Sequence, residues 1–67
     1  MIDPRSVKKL FGGKAKIVGD SILLQQTKEE NRNDLAKVLI ALEFETGQEW
    51  CSTGWNHGIT TLEPVEW

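Results

Sequence analysis

The apolar positions change period along the chain. Val7, Leu10 and Phe11 stand at i, i+3 and i+4, with Lys8 and Lys9 turned away from them. Asp3 suits a helix N-cap, Pro4 suits the first helical position because its missing N–H needs no partner there, and Gly12-Gly13 suits a stop. The spacing predicts a helix over 3–11, too short to be stable alone and therefore docked on the remainder of the chain. From Lys14 the period shortens to two. Ala15, Ile17 and Gly19 alternate with Lys16, Val18 and Asp20, and Ile22, Leu23 and Leu24 follow in a second run, so two strands joined near Gly19-Asp20 are expected. Residues 26–34 hold Thr27, Lys28, two glutamates, two asparagines and Arg32 without one aliphatic side chain, which reads as a polar loop at the tip of a long hairpin.

The segment 35–44 fits two templates. As a helix, Leu35, Val38, Leu39 and Leu42 occupy i, i+3, i+4 and i+7, and Asn33 or Asp34 would cap it. As a strand, Val38, Ile40, Leu42 and Phe44 alternate with Leu39, Ala41 and Glu43. Glu45-Thr46-Gly47-Gln48 reads as a tight turn with Gly47 at positive φ, and extended pattern resumes at Glu49, which favours the strand. A three-residue loop ending in a glycine bulge would pair Leu42 with Trp50, placing Trp50 in a core with Val38, Ile40 and Leu42. Gly54-Trp55-Asn56-His57-Gly58 then reads as a connector before a last strand over 59–62, with Pro64 at a strand end.

The expected fold is therefore mostly β: about five antiparallel strands in a small barrel over 14–67, a short helix at 3–11 and a polar hairpin loop at 26–34, all in one domain spanning 1–67. The alternative is an α+β fold with a helix at 34–45. Ala15-Lys16-Ile17-Val18-Gly19, then Leu42-Glu43-Phe44-Glu45-Thr46-Gly47-Gln48-Glu49-Trp50, and the terminal Leu62-Glu63-Pro64-Val65 together resemble the SH3-like small β-barrel superfamily. The tail is also similar to that of small SH3-like subunits of photosynthetic electron-transfer complexes, and this resemblance implies a non-catalytic docking role. The tyrosine-lined groove of peptide-binding SH3 domains is missing, since the chain has no tyrosine, and polyproline recognition is not expected.

Composition narrows the function. A chain of 67 residues buries only about 60% of its unfolded surface, which leaves little room for an elaborate active site. Cys51 is the only cysteine, so no internal disulfide or multi-cysteine metal site is expected. Cys51 and His57 lie six apart with nothing to orient them as a nucleophile and base, and Gly12-Gly13-Lys14 lacks the first glycine and the hydroxyl residue of a phosphate loop. No enzyme, cofactor or metal is expected. No apolar run approaches the roughly 18–20 residues of a membrane span, and the start has no secretory pattern, so a cytoplasmic protein is expected.

The formal net charge of −2 conceals an asymmetry. Arg5, Lys8, Lys9, Lys14 and Lys16 face only Asp3 over the first 16 residues, whereas Glu43, Glu45, Glu49, Glu63 and Glu66 occur with no Lys or Arg after residue 42. The two ends could simply attract each other within the fold. Functionally, Trp55 in a connector, His57 beside it and Glu43, Glu45 and Glu49 make a candidate partner-binding surface, the glutamates steering a basic protein and the tryptophan anchoring it. Trp67 is either a docked plug or a free anchor. The expected function is a non-catalytic protein-interaction module, accessory subunit or inhibitor. Nucleic-acid binding through Arg5, Lys8, Lys9, Lys14 and Lys16 is the alternative, weakened because the tryptophans fall in the acidic half. The oligomeric state stays open, a homo-oligomer included.

Overall fold

Residues 2–65 are described by the structure, a computed structural model; Glu66 and the candidate anchor Trp67 lie outside them. Helix α1 spans Pro4–Phe11 and a 3-10 turn spans Gly12–Lys14. Strands β1 (Ala15–Val18) and β2 (Ser21–Gln25) form a hairpin, helix α2 covers Lys28–Thr46, and β3 (Trp50–Asn56) and β4 (Ile59–Pro64) form a second hairpin. The four strands make one antiparallel sheet in the order β1-β2-β4-β3.

This is an α+β fold, and the expected five-stranded SH3-like barrel is corrected: among the described residues the sheet is open and has four strands. The difference arises in one stretch. The expected polar loop at 26–34 and the expected strand at 35–44 are a single 19-residue helix, longer than the 34–45 of the alternative reading. Its start is a capping box. The Thr27 hydroxyl accepts from the Glu30 N–H at 3.1 Å, and the Glu30 carboxylate accepts from the Thr27 N–H at 3.0 Å. The exposed lysine, glutamate and arginine of 28–32 are good helix formers, so a stretch without aliphatics becomes the solvated first turns of α2. Gly47 does take positive φ, but as the left-handed C-cap of α2, donating its N–H to the Glu43 carbonyl at 2.8 Å.

The other elements follow the local signals. The Asp3 side chain caps α1 by accepting from the Arg5 N–H, and Pro4 opens the helix. The β1–β2 turn falls at Gly19-Asp20, with Val18 opposite Ser21. Gly54-Trp55-Asn56, expected in a connector, belongs to β3, and the register shifts between Ser52 and Gly54, a bulge at Thr53. The turn that follows has only His57 and Gly58, at φ 51° and 77°, which matches the twist of the flanking strands.

Strand register sorts the side chains. Ala15, Ile17, Ile22, Leu24, Thr60, Leu62 and Trp50 point toward the helices, while Lys16, Val18, Leu23, Cys51, Thr61 and Glu63 point to the opposite face. The core is Val7 of α1, Leu42 of α2, and Ile22, Leu24, Trp50 and Leu62 of the sheet, with Leu10, Phe11, Leu35, Val38 and Leu39 packed around it. Trp50 is a core residue, 5% exposed, though not by strand pairing with Leu42. Its indole N–H donates to the Thr46 hydroxyl at 2.8 Å, and that hydroxyl donates to the Leu42 carbonyl at 2.7 Å. Of its expected companions Val38 and Leu42 face inward, whereas Ile40 is 65% exposed.

Candidate interaction surface

The expected acidic, tryptophan-bearing patch is divided between two ends of α2. At the N-terminal end, the Trp55 indole N–H donates to the Gln26 carbonyl at 2.9 Å. The Gln26 N–H donates to Gly58 at 3.0 Å, and its side-chain carbonyl accepts from the buried Thr60 hydroxyl at 2.7 Å. Asn31 donates to the same hydroxyl at 2.9 Å, so this end is a hydrogen-bonded lock between the start of α2 and the β3–β4 hairpin. Trp55 keeps 36% of its surface exposed but spends its polar group on the lock, and His57 is exposed in the adjoining turn. Glu43 and Glu45 stand at the far end of α2, about 22 Å along the axis from Lys28, and Glu49 follows in the connector to β3.

The acidic end is itself differentiated. Glu45 is half-buried and meets Lys9 of α1 at 3.4 Å, the single ion pair between the basic first segment and the acidic second half among the described residues. That lysine places a cation at the C-terminus of α2, whose last turn carries no base of its own. Glu43 and Glu49 are exposed. Arg5 pairs locally with its helix cap Asp3 at 3.6 Å, and Lys8, Lys14 and Lys16 are exposed along the α1–β1 edge. Lys14 also contributes to lowering the Glu30 pKa below the ordinary carboxylate range, a shift caused first by the Thr27 backbone N–H and then by the Thr27 hydroxyl.

The most exposed apolar side chains lie where the sequence reading placed none. Phe44 is 91% exposed and Ile40, one turn earlier on the same side of α2, is 65% exposed. Ala36 precedes them by another turn, so Ala36, Ile40 and Phe44 form a ridge at i, i+4 and i+8, directed away from the buried Leu42. Glu43 flanks the ridge on one side and Lys37 on the other. The available signal was the helical wheel of 28–46, on which Ile40 and Phe44 fall opposite Leu35, Val38 and Leu42.

A second concave feature lies across α1. Between α1 and β1 runs a groove of about 370 Å3 lined by Pro4, Val7, Gly12, Ala15 and Ile17, with Lys8 at its side. Cys51 lies near the start of β3 and His57 in the turn beyond its end, up to roughly 20 Å along the extended chain, so they do not form a nucleophile and base. Among the described residues no group of three or more His, Cys, Asp or Glu is placed to hold a metal ion, and no helix is long and apolar enough to cross a membrane.

No protein-family model, curated protein or solved structure matches this chain.

Proposed function

We propose that the chain is a non-catalytic protein-interaction domain, acting as an accessory subunit or inhibitor, and that its contact surface is the outward ridge of α2 with the acids beside it. The observation that carries this reading is the exposure of Phe44, with Ile40 one turn before it. Docking a Phe of this kind removes its apolar surface from water, worth about 1.5–3 kcal/mol when burial is complete, and aromatic anchors dominate binding hot spots. Glu43 and Glu49 at the same end would steer a partner whose rim is basic. The aromatic component of the expected acidic surface is then Phe44, while Trp55 and His57 belong to the other end of the molecule.

The test is affinity capture with cross-linking from host lysate, comparing wild type, Phe44→Asp, Trp55→Ala and the double variant Lys8→Glu with Lys9→Glu, each with and without nuclease. The expected result is a discrete protein that survives nuclease and is lost with Phe44→Asp, a weakening of about 2 kcal/mol or more. Capture unchanged by Phe44→Asp overturns the reading. Capture abolished by nuclease and by the double lysine reversal moves the function to nucleic-acid binding at the α1–β1 edge, where a steep salt dependence would accompany it.

A further inference from the structure

The chain carries a complement to its own ridge. We infer that the ridge of one copy docks in the α1–β1 groove of a second, with the Phe44 ring as the inserted group, so that copies associate head to tail. This names the partner of the surface proposed above and rests on that reading.

Three features of the molecule converge on it. The first is shape: the groove is an open depression of about 370 Å3 whose floor of Val7, Ala15 and Ile17 is apolar. The second is charge. Lys8 lines the groove, with the exposed Arg5, which also pairs with Asp3, one helical turn before it, whereas Glu43 flanks the ridge on the side opposite Lys37 and Glu49 is exposed at the same end of α2. The third is that the protomer leaves this complementarity largely unused. Among the described residues only Lys9 reaches an acid of the second half, Glu45, while Lys8 faces the groove on the β1 side of α1. Within one copy Ile40 and Phe44 are left exposed, and the groove is lined by α1, the 3-10 turn and β1 with no residue of α2.

A symmetric alternative is disfavoured by the same charges. Pairing two ridges antiparallel around a two-fold axis sets Glu43 of one copy on the same flank as Glu43 of the other, with no cation of the groove brought in. Ridge into groove is a heterologous contact, which builds closed rings or open chains rather than stopping at a dimer.

The test is sedimentation velocity on wild type, Phe44→Asp and Lys8→Glu, from micromolar to millimolar protein at low and high salt. Phe44→Ser and Lys8→Gln serve as milder versions should either charge reversal alter the far-ultraviolet circular dichroism. Wild type should exceed dimer mass as concentration rises and dissociate with salt. Each single variant should associate roughly tenfold more weakly or not at all. An equimolar mixture of Phe44→Asp, whose groove is intact, with Lys8→Glu, whose ridge is intact, should yield a one-to-one dimer and nothing larger. Wild type that stays at 7.6 kDa throughout overturns the inference, as does Lys8→Glu that self-associates like wild type, or a mixture that stays monomeric. Monomeric wild type together with a captured protein that Phe44→Asp still loses would overturn self-docking alone and leave the interaction reading standing.

Discussion

Helix α2 carries apolar side chains on both its faces, and the two faces have opposite fates. Leu35, Val38, Leu39 and Leu42 meet the sheet and α1, and Leu42 is completely buried. Ala36, Ile40 and Phe44 are exposed, although Ile and Phe are as apolar as the residues that pack inward. The buried set accounts for the docking of the helix, so the outward set is not required for the fold. Hydrophobicity in this helix is divided between holding the domain together and offering a surface.

Truncating one residue from each face separates the two roles most clearly. Leu42→Ala should cost about 2–5 kcal/mol of stability in chemical denaturation, because a side chain with no exposed surface leaves a cavity in the core. Phe44→Ala should change it by no more than about 0.5 kcal/mol. A cost at Phe44 comparable to that at Leu42 would mean the ridge is covered in the folded protein.

An intermediate effect is expected at the cap that sets the start of both faces. Thr27→Ala should lose about 1 kcal/mol by removing the capping box, seen as lower helical circular dichroism at a given denaturant concentration. The same box has a pH signature. Since the Glu30 pKa is lowered in the folded state, its contribution is present above the ordinary glutamate range and is lost as pH falls through the lowered value. Acid titration of wild type should therefore show a loss of stability that Glu30→Gln does not, and identical profiles would contradict the capping assignment.

The smallest effect concerns the outward face. Ile40→Lys should leave stability within about 0.5 kcal/mol of wild type in thermal melts, since Ile40 is 65% exposed and Lys is at least as good a helix former. The same substitution should weaken whatever docks on the ridge, so stability and binding separate at one residue.

These two faces also explain how much of the molecule was legible in its sequence. An amphipathic helix is recognised by polar residues between its apolar ones. In α2 the outward positions are filled by Ile40 and Phe44, which restores the alternation of Val38, Ile40, Leu42 and Phe44 and imitates a strand. The residues that form the candidate surface thus concealed the helix that presents it. Thr27-Lys28-Glu29-Glu30 was the countersignal, a hydroxyl followed three residues later by a glutamate, and it lay inside a stretch whose polarity read as loop. Gly47 was legible as a positive-φ residue, but a helix C-cap and a hairpin turn ask for the same glycine.

Features set within a few residues follow directly from the amino-acid order. Asp3 and Pro4 starting α1, the turn at Gly19-Asp20, and Pro64 ending β4 each rest on a dihedral preference or a local hydrogen bond. The packing of the whole chain selects which side of α2 faces the sheet, brings Trp55 to close the lock at Gln26, and sets Lys9 against Glu45 while Lys8 lines the groove. Those outcomes depend on distant segments sharing one core: periodicity offers each apolar residue a face, and the packing of the other elements selects which face is buried.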